Sequence, residues 1–211
     1  MLHLCTVYLV PVTFTLIGFI SSIVPALAQT TSPFRAIYEI RATAKDITPN
    51  LEEIFVSGES SNAPYNLTEI STLTYSQTDF ATGSFSSNTD PATFGLQDLP
   101  QGYIVFSGNG SNKLFGTATN TGLIDFTMLT TTGSGTVTIT GGEGIFRGAT
   151  GILASSQVQP LSLEIGVVLK GEVEVNGTIQ TVPEPETSTI PVGMSVIVGA
   201  GILLRRCRTN W

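Results

Sequence analysis

The chain has 211 residues and a formal net charge of −7, yet its mean hydropathy of +0.28 is positive. Its acidic balance, with no basic cluster in the central region, argues against nucleic acid as a partner, because phosphate neutralisation drives such binding. The same balance argues against docking to anionic lipid. The positive hydropathy comes from the two ends of the chain, which differ from the middle.

Residues 1–28 are typical of a secretory signal peptide. An apolar run precedes Pro25, and Ala26 and Ala28 occupy the −3 and −1 positions that a signal peptidase accepts. We therefore predict cleavage after Ala28. The residues before the apolar run include no Lys or Arg, only His3 and the α-amine as basic groups. The alternative is an uncleaved N-terminal membrane helix.

Residues 29–181 are predicted to form one domain, since about 150 residues is the usual size of a domain. Between Phe34 and Ala44 apolar residues alternate with polar ones, with Ile37 as the exception. A period of two over such a length indicates a half-buried strand. No stretch carries a helical apolar stripe beyond two turns, and Thr, Ser and Gly are abundant.

The rest of the domain follows the same pattern of short strands and polar turns. Further strands are predicted at 52–58, 65–76, 81–87, 103–108, 112–119, 123–130, 135–141, 151–158, 161–169 and 171–179. Turn clusters are predicted at 108–112, 119–122, 131–135 and 141–144. Many short antiparallel strands must hide their edges. We predict an all-β fold, an antiparallel closed or nearly closed β-barrel, with a sandwich as the alternative.

One glycine-rich hairpin narrows this prediction. The stretch "SGTVTITGGEGIFRGATG" is similar in spacing to a hairpin of the allene oxide cyclase and dirigent-type barrels, although Glu143 replaces the usual Thr. The resemblance covers roughly residues 112–179 and implies a fold rather than a chemistry. Glycines there permit a positive φ or a close approach of strands, and an aromatic residue can plug one barrel end. The hairpin residues are Gly141, Gly142, Gly144, Phe146, Gly148 and Gly151.

The tail, residues 182–211, ends in an apolar run followed by arginines. Residues 187–204 contain no charged side chain, and a helix of that length spans about 27 Å, enough for a thin bilayer. Arg205, Arg206 and Arg208 follow at once and are predicted to hold that end in the cytoplasm. With an exported N-terminus, the domain then lies outside the membrane.

This order of parts resembles the PEP-CTERM sorting tail of Gram-negative bacteria. The sorting motif consists of Val182, Pro183, Glu184 and Pro185. The resemblance implies recognition by an exosortase-type membrane protease and cleavage near the Pro-Glu-Pro triplet. It also implies delivery to the cell surface or into extracellular polysaccharide. The implied course is export across the inner membrane, tethering by the C-terminal helix, and then processing.

The exported domain lacks several chemically versatile residue types. His3, Cys5, Cys207 and Trp211 all lie in the terminal segments. Without His or Cys, the domain excludes a Ser-His-Asp triad, a Cys-His pair and the ordinary zinc, copper, haem and iron–sulfur sites. We predict no metal, no cofactor and no catalytic residue.

Three functions therefore remain open. The first is a non-catalytic structural or binding role at the cell envelope or extracellular matrix. The second is an enzyme, either a cyclase- or dirigent-like barrel or a carboxylate pair, although nothing in the sequence pairs any two of the acidic residues. The third is a lipocalin-like carrier of a small apolar ligand, which requires a hollow barrel.

Overall fold

The computed structural model describes residues 29–160 and 169–181. This part of the chain contains nine strands, three short 3-10 helices, and no helix that is long and apolar enough to cross a bilayer. The strands are β1 (Thr30–Thr48), β2 (Leu51–Glu59), β3 (Glu69–Asp79), β4 (Ser84–Asn88), β5 (Tyr103–Ser107), β6 (Lys113–Asp125), β7 (Thr130–Glu143), β8 (Thr150–Pro160) and β9 (Leu169–Thr181). The 3-10 helices are Pro64–Asn66, Pro91–Phe94 and Gly144–Phe146.

The strands form one antiparallel sheet that closes into a ring. The order is β2-β1-β9-β8-β7-β6-β4-β3-β5, and the additional pairings β2–β3 and β6–β5 close it. Strands β4 and β5 share one position in the ring, because both lie between β3 and β6. The all-β prediction is confirmed, and the ring is nearly a barrel. Each described strand has a partner on both sides for at least part of its length, which limits the edge that is available for aggregation.

The predicted alternation of β1 is confirmed. Phe34, Ala36, Tyr38, Ile40 and Ala42 are buried, and the residues that alternate with them are exposed. Because side chains alternate between the two faces of a strand, one face of the sheet lines the interior of the ring and the other meets solvent.

One end of the ring, which we call the packed end, is filled by large side chains. Phe106 lies 5.5 Å from Phe34 and 5.8 Å from Tyr38, measured between ring centroids. The buried hydroxyl of Tyr38 donates to the carbonyl of Leu67 at 2.7 Å. Phe146 is buried and packs edge-on against Tyr65. These contacts form the core that stabilises the fold.

The first and last described residues both lie at the packed end. Thr30 pairs with Thr181 in the sheet, and the Gln29 amide donates to the Gln180 side chain at 2.8 Å. The opposite end, which we call the open end, contains the turns that follow β1, β3 and β6. The two ends of the ring therefore differ in packing and in the chain segments that lie there: the first and last described residues at the packed end, and three strand-to-strand turns at the open end.

Two predicted turns were wrong, and the turn predicted at 141–144 begins only at Gly144, because β7 continues to Glu143. Residues 119–122 and 131–135 lie inside β6 and β7, and the connection runs through 126–129, within the predicted strand 123–130. The glycines that suggested turns have another reason. A Cβ on Gly122 would lie 2.5 Å from the Phe85 ring, and one on Gly133 would lie 2.9 Å from it. They are glycines because a large side chain occupies the interior beside them.

Candidate functional site

The open half of the ring encloses a cavity of about 570 Å³. A pocket of this size is within the range that holds a small organic molecule. Its floor meets the packed half at Ile40, Ile104 and Val137, which are buried. Phe80 and Phe126 line it at the open end. Within the described residues, the ring is therefore filled at one end and hollow at the other.

A row of polar side chains crosses the cavity wall from strand to strand. Glu52 pairs with Ser76, Ser76 with Ser87, and Ser87 with Asn120. Asn120 pairs with Gly135 of β7, which in turn pairs with Ser155 of β8. All the side chains of this row line the cavity. We call Glu52, Ser76, Ser87, Asn120 and Ser155 the polar row.

Asn120 is held in place by its neighbour in the polar row. The Ser155 hydroxyl donates to the Asn120 side-chain oxygen at 2.8 Å, across the intervening strand β7. This contact requires Gly135, because a Cβ there would collide with that same oxygen. The bond uses the oxygen of the Asn120 amide and leaves its NH₂ group for another acceptor. The amide is therefore oriented as a hydrogen-bond donor in the cavity.

Two carboxylates lie together on the wall near the open end. Asp46 of β1 and Glu52 of β2 are direct cross-strand partners, a position that brings Cβ atoms to about 4.5–5.5 Å. Burial, and second the charge of Asp46, raises the pKa of Glu52 above its usual value. Among the described residues no three His, Cys, Asp or Glu side chains lie close enough together to hold a metal ion.

Apart from this pair and Lys45, the described residues that line the cavity are uncharged. Lys45 is exposed at the rim and lies 3.4 Å from the carboxylate of Glu53, which limits its role inside. Phe85 lies against the wall, where Gly122 and Gly133 leave room for its ring. The lining thus offers apolar surface, hydroxyl and amide groups, and one acidic pair.

The predicted hairpin residues lie at the packed end, away from the cavity. Gly141 and Gly142 continue β7, whereas Gly144 and Gly148 have positive φ values of 66° and 67° in the turn that follows. Phe146 is buried beneath this turn. A Cβ on Gly151 would come within 2.5 Å of the Thr178 carbonyl. The hairpin closes the barrel and carries none of the cavity groups.

A side chain from outside the predicted motif caps this hairpin turn. The Asn112 oxygen accepts from the backbone N–H of Ile145 at 3.2 Å, and its amide donates to the Tyr65 carbonyl. Glu143 forms an ion pair with Lys113 at 2.8 Å. Asn112 thus ties the hairpin turn to the segment that contains Tyr65.

The remaining predicted site residues lie outside the described residues. These are the cleavage positions Ala26 and Ala28, the sorting motif Val182, Pro183, Glu184 and Pro185, and the arginines Arg205, Arg206 and Arg208. The predicted strand 161–169 also lies outside them, except for Leu169, which begins β9.

Sequence reasoning missed the polar row and the acidic pair. Their members come from six strands and are brought together only by the register of the sheet. The one available signal was local: Asp46 and Glu52 lie on either side of the Thr48–Leu51 turn and near it in sequence, although the register shifts between Asp46 and Thr48.

Comparison of the chain with protein-family models, with curated proteins and with solved structures found no significant match. The site is therefore interpreted from its own geometry and chemistry.

Proposed function

We propose that this protein is an exported binding protein, whose barrel holds a small ligand in its hollow half. The observation that carries the proposal is the cavity of about 570 Å³, lined by apolar, hydroxyl and amide groups. A barrel made only for structural support gains stability from each interior side chain, because filling a void adds dispersion contacts. Since the packed end is filled with large side chains, this chain can fill its interior, and we therefore interpret the unfilled half as a binding site.

The chemistry of the lining defines the ligand class. Apolar walls favour a ligand with an apolar body, and Asn120 and the neighbouring serines favour one with a carbonyl or hydroxyl group. The acidic pair of Asp46 and Glu52 opposes an anion at the open end, because it would place like charges together. We therefore propose an uncharged, mostly apolar ligand.

The sequence of the terminal segments supports delivery outside the cell. On this proposal, a signal peptidase cuts after Ala28, the apolar helix 187–204 tethers the barrel, and an exosortase-type protease processes the tail. Both ends of the described chain lie at the packed end, where Thr30 pairs with Thr181. A short spacer then places the packed end against the membrane, and the open end points away from it.

Extracellular polysaccharide is proposed as a second contact of the released barrel. Strands β4 and β8, the part of β7 before Glu143 and the middle of β6 carry no charged side chain, and the outward residues of β4, β6 and β7 are mostly Ser and Thr. Short hydroxyl side chains lose little conformational entropy on binding and can bond to sugar hydroxyl groups. Co-sedimentation with an insoluble neutral glucan tests this contact, which fails if the protein stays in solution.

The finer fold assignment also belongs to this proposal. The likeness of the Gly141–Gly151 hairpin to allene oxide cyclase and dirigent-type barrels supports placing the ring among such barrels.

A second candidate function is catalysis on the bound ligand, and the raised pKa of Glu52 inside the cavity favours it. A carboxyl group tuned toward neutral pH can act as a general acid or base.

A ligand titration tests the binding function. The probe is Nile red, an uncharged dye whose fluorescence rises in apolar surroundings. Ser155→Phe places a large ring in the cavity, whereas Ser156→Phe places the same ring on the outer face one residue away. We expect saturable binding by the wild type and by Ser156→Phe, with affinity at least about tenfold weaker for Ser155→Phe. Equal binding by the two variants contradicts the proposal.

Two further experiments separate the other parts. Replacing Pro183, Glu184 and Pro185 by Ala is expected to leave an unprocessed, membrane-retained form. An unchanged distribution of the protein among the cell fractions contradicts the sorting proposal.

For catalysis, purified protein is incubated with an apolar extract of its own cells. A product that forms with the wild type and not with Glu52→Gln, at equal Nile red binding, favours the enzyme; no product rejects it.

A further inference from the structure

Two turns at the open end share one design. Asp79 begins the turn after β3, and its side chain accepts from the Ala81 N–H at 2.9 Å. Asp125 begins the turn after β6, and its side chain accepts from the Thr127 N–H at 2.8 Å. A phenylalanine follows each aspartate directly. These bonds to the backbone fix the conformation of both turns, and therefore the backbone positions from which the two phenylalanine side chains extend.

The two turns lie side by side. The N–H of Ile124 donates to the Gly83 carbonyl at 2.7 Å, and the Phe126 ring lies 3.5 Å from where a Cβ on Gly83 would be. Phe80 and Phe126 both line the cavity, yet they are 57% and 45% exposed. Two rigid turns thus present exposed aromatic surface at the opening of a cavity.

We propose that Phe80 and Phe126 hold the apolar end of an elongated ligand whose oxygen-bearing end is bound by Asn120. This inference rests on the proposed binding function and specifies its ligand class. Phe126 follows the last residue of β6, so it is separated from Asn120 by up to about 20 Å at 3.3 Å per residue, or about 15 Å along the barrel axis for the usual strand tilt. The ligand is therefore an uncharged amphiphile with an unbranched chain on the order of 15 Å.

The direction of the ligand follows from where apolar surface is accessible. The floor residues Ile40, Ile104 and Val137 are already covered by the packed end, so they leave little surface for a chain. The two phenylalanines expose far more, and covering it removes that area from water. The ligand chain therefore points toward the open end.

The charges at the turns favour a ligand over a bilayer as the cover of these rings. Asp79 is ionised more readily than usual, since its hydrogen bonds to Thr82 and Ala81 lower its pKa. Inserting the turns into lipid would take this carboxylate and that of Asp125 out of water, at a large cost. A ligand emerging from the cavity covers the rings and leaves both carboxylates hydrated.

The test compares alcohols of two chain lengths. Displacement of Nile red by 1-octanol and by 1-tetradecanol gives their affinities for the purified protein. Each methylene group that leaves water tightens binding by up to about fourfold. We expect the double variant Phe80→Ser/Phe126→Ser to lose at least about tenfold in tetradecanol affinity and less than about twofold in octanol affinity. Phe55→Ser is the matched control, because Phe55 is 44% exposed and lies outside the cavity.

Each outcome has a separate meaning. If the wild type binds neither dye nor alcohol, the proposed binding function fails, and this inference fails with it. If the double variant keeps the full tetradecanol affinity, the aromatic turns do not hold the ligand, although the binding function stands. Equal losses for both alcohols, at unchanged circular dichroism, also overturn the inference. If the wild-type protein sediments with vesicles of zwitterionic lipid and the double variant does not, the two rings bind a bilayer and not a ligand.

Discussion

The unequal filling of the barrel predicts unequal costs for the same substitution at its two ends. Ile139 is 2% exposed in the packed half, and Ile54 is half-buried on the cavity wall. Both lie in strands that are paired on two sides. Ile139→Ala leaves a new cavity and should cost about 2–5 kcal/mol. Ile54→Ala only enlarges an existing cavity and loses about half of a side chain's transfer free energy, about 1 kcal/mol.

Urea unfolding followed by circular dichroism measures both free energies of unfolding. The m-value must stay constant for the comparison to hold. In thermal scans, each kcal/mol corresponds to about 2–4 °C for a domain of this size. Equal costs for Ile54→Ala and Ile139→Ala would refute the reasoning, because they would mean that the open half is packed as tightly as the other.

Three more predictions concern single groups. Tyr38→Phe should cost about 1–2 kcal/mol, because it removes a buried hydrogen bond. Burial raises the pKa of Tyr38, so the wild type should lose stability above about pH 10, and the variant should lose less in urea titrations. Glu52→Gln should raise the free energy of unfolding at neutral pH and not at acidic pH, since the raised pKa of Glu52 makes its ionisation oppose folding. Gly122→Ala should cost about 1–3 kcal/mol, because the new methyl meets the Thr132 backbone carbonyl and the Phe85 ring.

Each of these predictions has a control. Tyr103 is partly exposed, so Tyr103→Phe should change stability little. Gly110 has open space around it, so Gly110→Ala should be tolerated. An effect of the control as large as that of the test variant would show that the named contact is not the cause. For Glu52, a stability gain that persists at acidic pH would point to packing rather than ionisation.

The class of the fold could be predicted from local patterns in the sequence. The alternation from Phe34 to Ala42 survives in the structure because a strand needs only a period of two to place its apolar face inward. Short polar turns and the absence of helical stripes indicated antiparallel strands, and such strands must close on themselves or stack. The ring satisfies this requirement.

Strand boundaries and the site could not be predicted, for a physical reason. Gly122 and Gly133 suggest turns when only neighbours in sequence are considered. Their role depends on the ring of Phe85, which reaches them from another strand. The true turn is marked by the Asp125 side chain, which bonds to the Thr127 and Met128 N–H groups. The polar row likewise depends on register, which no local pattern fixes.

The measurement that tests the account most directly is native mass spectrometry of the protein released from the surface of its own cells. The account predicts a chain that begins at Gln29, ends near Pro183–Pro185, and carries one bound uncharged molecule that Ser155→Phe abolishes and Ser156→Phe retains. A chain of that length without any bound molecule, or a full-length chain inside the cell, would contradict it.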